Sequence, residues 1–354
     1  MSIVARAWFL DAPGRPLVQR ELALPDPDAG QALVEVAACG LCHTDLGFAD
    51  GSVRPNHALP LVLGHEIVGR IVAVGPGVAL PVGEIIIVPA VLPCGRCATC
   101  HAGRANACPT QTMPGNDAHG GFATHVSVPA APLVSLQGAP EHLPLWPLAV
   151  VADAVSTAWQ ATRRAQVGKG DLVVVIGSGG VGGYVVQIAR ALGAQVVAAD
   201  VDDARLERAR AFGAHQVINV RDRATKDVRR EVTSVAQAAG LTGLRQRLFE
   251  CSGTTAGQEL AFGLLSRCAT LVQVGFSPQP ISVRFSNLMA FDATVHGTWG
   301  CPPDQYPSVL DLIYRGLVRL DVGLERAPLS RVNDLLADMA AHRLTRRMVL
   351  VPGE

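Results

Sequence analysis

The sequence predicts an α/β protein of two domains, one β-rich and irregular, the other built on a doubly wound parallel sheet. Three observations carry this. The chain has 354 residues, more than one hydrophobic core usually serves. Up to about residue 150 it is rich in Gly, Pro and Val, with short apolar runs cut by turn signals. Beyond that, apolar runs alternate with helical stretches, the pattern of a parallel sheet covered on both faces.

In chain order, Met1–Leu10 reads as a strand and lacks the layout of a signal peptide. Ala32–Ala38, Ile67–Val74 and Ile85–Val88 read as strands of an irregular barrel. Leu172–Ile176 reads as a strand, followed by a glycine turn and a helix over Val181–Leu192. Strand Gln195–Ala199, helix Ala204–Phe212, strands Gln216–Asn219 and Arg247–Glu250, helix Gly257–Leu265 and strand Thr270–Val274 follow. The tail holds helical stretches near Tyr306–Tyr314 and at Arg331–Ala341, then a last strand, Arg347–Val351.

Composition narrows the function classes. Hydrophobic residues make up 49% and the formal net charge is zero, which argues against nucleic acid or an anionic membrane as partner. Nine cysteines in so long a chain do not suggest a secreted disulfide scaffold. Residues 172–189 carry no charge, but glycines at 177, 179, 180, 182 and 183 interrupt them, so they read as strand, turn and helix rather than a membrane span. The expected location is the cytoplasm.

Cys94, Cys97, Cys100 and Cys108 follow the spacing C-x2-C-x2-C-x7-C. One short lobe of backbone can thereby wrap a tetrahedral ion, and four thiolates close a zinc site completely, which makes it structural. Two disulfides or buried free thiols are the other readings, and the spacing favours zinc.

Gly177-Ser-Gly179-Gly180-Val181-Gly182 matches G-x-G-x-x-G. It follows an apolar strand, opens a helix, and is followed by Asp200 at the end of the next strand. The first glycine allows the tight turn, the second lets the backbone approach a pyrophosphate, and the third lets helix and strand pack closely. The helix N-terminus offers free N–H groups to phosphates. Asp200 is placed to accept hydrogen bonds from a ribose diol, and its charge repels a 2′-phosphate, so NAD is the expected dinucleotide. Cys42-His43-Thr44-Asp45 and Gly64-His65-Glu66 are apart in sequence, and convergence would make a mixed thiolate–imidazole–carboxylate site with a position open for a substrate oxygen. Taken by spacing alone, they are equally readable as core residues.

Together, Cys42-His-Thr-Asp, Gly64-His-Glu-Ile-Val-Gly69, the four-cysteine lobe and the Gly177 turn occur in the order seen in zinc-dependent medium-chain alcohol dehydrogenases, and the chain resembles that family over essentially its whole length. The resemblance implies a GroES-like catalytic domain over 1–154 carrying a structural zinc lobe at about 90–112, a Rossmann NAD-binding domain over 155–297, and a return to the catalytic domain over 298–354, with a cleft between the domains. It implies two zinc ions per chain. Cys42 and His65 would hold the catalytic one, with Asp153 as third ligand, at a position that is Cys in many relatives. Glu66 would sit beside the metal, Asp45 would fix the tautomer of His65, and Thr44 would pass the alcohol proton away. His43 and Arg347 would lie near the cofactor pyrophosphate, and Thr157 and Val274 would contact the cofactor. One departure is Gly47, where many relatives carry the histidine that ends the proton relay.

Two stretches, Met113–His125 and Leu288–Pro303, and the junction at Asp153 resemble a narrower group, the dehydrogenases of 6-hydroxycyclohex-1-ene-1-carbonyl-CoA in anaerobic aromatic degradation. The resemblance implies NAD-dependent oxidation of a ring alcohol beside a thioester-bearing alkene. Residue chemistry alone leaves open a small secondary or allylic alcohol, hydride addition to a conjugated alkene, and a non-catalytic nucleotide-binding protein. The family habit implies a homodimer or homotetramer.

Overall fold

A computed structural model of the chain describes residues 3–241 and 245–353. They form two compact units. One comprises the described residues up to Ser156, Gly300–Ser308 and those from Gly323 on; the other comprises Thr157–Trp299 and Val309–Val322.

The first unit is organised around the strand Gln31–Gly40, which pairs antiparallel with Glu66–Val74, His125–Pro129 and Arg347–Val351. Ile85–Val88, Val134–Ser135 and Leu324–Pro328 complete a seven-stranded sheet. Register shifts at Leu33/Val34 and Val36/Ala38 bend the central pair, as bulges do in closing barrels. A smaller sheet joins Val18–Leu24, Ile3–Leu10 and Leu61–Val62; Met1 and Ser2 of the expected first strand lie outside the described residues. Between the sheets Phe9, Leu41, Phe48, Ile67, Ile71 and Phe122 pack into one buried cluster. One consequence positions the site. Gly40 pairs with Glu66, so the segments just beyond both partners, Leu41-Cys42 and His65, emerge side by side.

The second unit holds six parallel strands in the order Gln216–Asn219, Gln195–Asp200, Leu172–Ile176, Gln246–Glu250, Thr270–Gln273, Thr294–Gly297. The strand order reverses direction beside Leu172–Ile176, the switch point where open α/β sheets bind ligands. All five residues of that strand are buried, which explains its unbroken apolar run. The expected parallel sheet is therefore present. Residues 172–189 are a strand followed by the helix Gly180–Ala191, and no helix among the described residues is long and apolar enough to cross a membrane.

The tail departs from a simple return over 298–354. Val309–Val322 belongs with the second unit, because Val309, Leu310, Leu312 and Ile313 are buried and Arg319 N–H bonds Gln187 Oε1 at 2.7 Å. Sequence patterning also missed the helices Ala154–Arg164 and Thr225–Ala238 and the strands Val18–Leu24, His125–Pro129, Thr294–Gly297 and Leu324–Pro328. Thr294–Gly297 carries exposed or half-buried side chains throughout, so no apolar alternation announces it.

Candidate metal centre and nucleotide turn

Cys42 is the N-cap of helix His43–Asp50, and His65 stands immediately before strand Glu66–Val74. Asp153 ends the 3₁₀ helix Trp146–Ala152. The tertiary pairing brings one donor atom from each of Cys42, His65, Glu66 and Asp153 within 4.8 Å of the others. His65 Nε2 lies 3.6 Å from Asp153 Oδ2, and Nδ1 lies 3.4 Å from Asp45 Oδ1. Both ring nitrogens are buried without a hydrogen bond. Asp45, fully buried, is held by the Cys42 N–H at 2.9 Å and the Gly64 N–H at 3.1 Å. Thr44 Oγ1 is 3.7 Å from Cys42 Sγ. His43 is exposed on the first turn of its helix.

Glu66 is fully buried and makes a two-point ion pair with Arg347, Nε to Oε2 at 3.3 Å and Nη2 to Oε1. A Cβ at Gly40 would lie 2.0 Å from Glu66 Oε2, so only glycine leaves room for this carboxylate. Burial pushes Glu66 up to about 7 even though Arg347 pulls it down, with Asp153 adding to the rise. His65 is shifted upward too, for a different reason. Burial lowers its affinity for a proton, yet Asp45, Asp153 and Cys42 outweigh burial and hold it well above the usual histidine range. A borderline-soft thiolate, an imidazole and a carboxylate suit zinc. The donors present fit that ion.

The second cluster, Cys94, Cys97, Cys100 and Cys108, also lies within 4.8 Å. Neighbouring sulfurs are 3.4, 3.6 and 3.8 Å apart. A tetrahedron with 2.3 Å metal–sulfur bonds has edges of about 3.8 Å, whereas a disulfide would bring sulfurs to about 2.05 Å. All nine cysteines are free. The Thr110 hydroxyl and the Arg96 backbone pull the Cys94 thiol down to about 6, while burial and the neighbouring cysteines push Cys100 up to about 12, so the sulfur geometry and not acidity marks the site. These four residues fit a closed zinc site.

In the second unit, Gly177 adopts φ +84° and its N–H bonds Ala199 O at 2.8 Å, turning the chain at the strand end. Gly179 is the N-cap of Gly180–Ala191 and has no side-chain cap. Val181 follows in the first turn. The open N-terminus fits a pyrophosphate. Asp200 is buried, and its carboxylate already accepts from Ser178 N–H at 2.8 Å, Ser178 Oγ at 3.1 Å, Val201 N–H at 2.8 Å and Asp202 N–H at 3.1 Å. A ribose hydroxyl reaching Asp200 must displace or share with the Ser178 hydroxyl. Val274 is tied by its N–H to Glu250 O at 2.9 Å, and Thr157 lies buried in helix Ala154–Arg164.

Sequence reasoning missed three residues at these sites. Arg205 Nη1 lies 4.0 Å from where a Cβ on Gly179 would stand, so a cation borders the turn despite the acidic Val201-Asp202-Asp203 stretch. Glu250, fully buried at the end of Gln246–Glu250, accepts from Ser252 N–H and Gln273 Nε2, both at 2.8 Å. Tyr306 donates its hydroxyl to Ala152 O, the carbonyl just before Asp153. Arg205 had a signal, being five positions past Asp200 on the next helix; the other two had none short of tertiary structure.

Residues 28–138 match the alcohol dehydrogenase GroES-like domain family and residues 180–315 match the zinc-binding dehydrogenase family. An alcohol dehydrogenase of Geobacillus stearothermophilus is 31% identical over 95% of this chain and 96% of its own length. Among solved structures, the alcohol dehydrogenase of Aeropyrum pernix superposes with a TM-score of 0.88 at 27% identity, covering 98% of this chain and all of that one. A short chain alcohol dehydrogenase of Escherichia coli CFT073, solved with NADH, gives a TM-score of 0.86 at 25% identity over 98% of this chain and 99% of its own.

Proposed function

Since the chain belongs to the zinc-binding alcohol dehydrogenase family, we propose that it oxidises a secondary alcohol to a ketone with NAD⁺ at the Cys42–His65–Asp153 centre. The observation that carries this is the mixed donor set: Cys42, His65 and Asp153 bring a thiol, an imidazole and a carboxylate together near the Thr44 hydroxyl, and Glu66, within the same 4.8 Å, is engaged by Arg347. A zinc ion bound there supplies a Lewis acid for the alcohol oxygen, and NAD⁺ supplies the hydride acceptor.

The chain's own residues do the rest. The Thr44 hydroxyl would relay the alcohol proton, giving up its own as it accepts the substrate's. Asp45, anchored by two backbone N–H groups, stands 3.4 Å from His65 Nδ1 and would accept its N–H, fixing the tautomer. Gly47 carries no base, and a Cβ there would lie 3.0 Å from Val53 Cγ2, so the helix packs tightly where relatives place a relay. The proton leaves by His43, which is exposed, by the cofactor ribose or by water. Asp200 favours NAD over NADP, and Arg205 opposes it, which puts the discrimination at the low end of about 2–4 kcal/mol, some thirtyfold in kcat/KM. Equal kcat/KM with NADP would overturn that assignment.

The substrate reading is finer: the CoA thioester of a six-membered ring, with the alcohol next to the thioester-bearing alkene carbon. It rests on the resemblance at Met113–His125 and Leu288–Pro303. The first stretch is tied into the catalytic unit, with Asn116 O accepting from the His57 N–H at 2.8 Å and Asp117 Oδ1 from Asn56 Nδ2 at 2.7 Å. The test compares kcat/KM for 6-hydroxycyclohex-1-ene-1-carbonyl-CoA and cyclohex-2-en-1-ol with NAD⁺. A preference for the thioester under about tenfold, roughly 1.4 kcal/mol, would hand the reading to a simple secondary or allylic alcohol. The chain works as a homodimer or a tetramer of dimers. Supporting this, strand Thr294–Gly297 is the last of its sheet, and Met289, Phe285 and Trp299 near it are 79%, 73% and 49% exposed. A monomer by sedimentation at micromolar concentration would refute it.

A further inference from the structure

Asp153 stands at a seam. The 3₁₀ helix Trp146–Ala152 stops before it and helix Ala154–Arg164 starts after it, while its own φ of −137° and ψ of −67° belong to neither. Its direction is set by whatever fixes the peptides on either side. On the near side, Ala152 O accepts from the Ala90 N–H at 3.0 Å and from the Tyr306 hydroxyl at 2.5 Å. On the far side, Ser156 Oγ is 3.1 Å from Asp153 O. Ser156 Oγ also lies 3.2 Å from the Tyr306 oxygen, closing the network. Tyr306 is 1% exposed and Ser156 fully buried.

We infer that Tyr306, coupled to Ser156, is a positioning residue that aims the Asp153 carboxylate at the metal centre. The inference rests on the reading of Asp153 as a ligand. Ala152 O is held by two donors, and the one Ser156 proton is shared between Asp153 O and the Tyr306 oxygen, so the Asp153 backbone has little φ/ψ freedom and its carboxylate moves chiefly through two side-chain torsions. A cysteine, found at this position in many relatives, has one torsion to its sulfur. The longer ligand therefore needs the firmer backbone. Phenylalanine would fill the same buried volume as Tyr306, so the hydroxyl is what the network requires, and its burial is stabilised by a partner on each side.

The experiment uses the full chain loaded with cobalt(II). Tyr306→Phe should weaken cobalt binding at the Cys42 centre about tenfold or more, the usual effect of losing a ligand's supporting contact, and shift its d–d absorption bands. Ser156→Ala, which leaves the aromatic packing intact, should move both readouts in the same direction. The four-cysteine lobe should keep its metal in both. Wild-type cobalt affinity and spectrum in Tyr306→Phe and Ser156→Ala, with Asp153→Ala weakened, would overturn the inference alone. Unchanged cobalt binding in Asp153→Ala would instead remove Asp153 as a ligand, and both readings with it.

Discussion

Two glycines of the same turn should respond to alanine in opposite ways. A Cβ on Gly182 would lie 1.9 Å from Gly177 O and 3.0 Å from its carbonyl carbon. Ordinary C···O contacts are about 3.3–3.6 Å, so the backbone must open by about 1.4 Å or more. Gly177 has nowhere to go. Its N–H is bonded to Ala199 O at 2.8 Å, and a Cβ position on it already falls 2.5 Å from Ser252 N. Overpacking costs about 1–3 kcal/mol, and contact with backbone rather than a flexible side chain puts Gly182→Ala at the upper end. For a unit of this size that is a fall in Tm of about 4–12 °C.

At Gly179 the nearest heavy atom to a Cβ is Arg205 Nη1, 4.0 Å away. Gly179→Ala should therefore melt within about 2 °C of wild type. Its methyl group stands where the backbone must approach the pyrophosphate, so NADH affinity should fall about tenfold, roughly 1.4 kcal/mol. Calorimetry gives Tm and NADH fluorescence titration gives Kd. An unchanged Tm for Gly182→Ala, or an equal loss of Tm in both variants, would refute the packing argument.

Fully loaded protein should contain two zinc ions per chain by metal analysis, and one or none would refute the two-site assignment. Cys100→Ser should lower stability more than turnover, whereas Asp153→Ala should abolish turnover and leave circular dichroism largely unchanged. Thr44→Val removes a hydroxyl at nearly constant volume and should lower kcat at least about tenfold near neutral pH; wild-type kcat across about pH 6–9 would take Thr44 out of the proton route. Asp202 caps helix Asp203–Ala211 by accepting from the Arg205 and Ala204 N–H groups at 3.0 and 2.8 Å. Those bonds, the Arg205 N–H first, hold its carboxyl below the usual aspartate range. Its contribution is thus full above the unfolded value near 3.9 and lost as pH falls through the folded one. Asp202→Ala should cost about 1 kcal/mol at neutral pH, and chemical denaturation should show the gap to wild type closing in acid.

What was legible in the sequence was local. The strand Leu172–Ile176 is buried on all sides and so reads as an unbroken apolar run. The four cysteines of the lobe span residues 94–108, and one short segment can close an ion by itself. The glycine turn needs only its own strand and helix. The Cys42 centre is different in kind. Its residues were singled out by likeness to a family, since spacing alone left them readable as core.

Only the tertiary structure could assemble them. The pairing of Gly40 with Glu66 sets Cys42 beside His65, and the last strand carries Arg347 onto Glu66. The contact of Tyr306 with Ala152 joins segments far apart in the chain. Local sequence specifies a motif when its ligands share one turn of backbone, because the geometry is then intrinsic to the segment. Where a site draws on strands paired across the chain, register and burial decide its geometry, and those belong to the whole sheet. That is why the four-cysteine lobe and the glycine turn were legible in the sequence, and why the hydrogen bonds around Ala152 and Tyr306 came into view only with the fold.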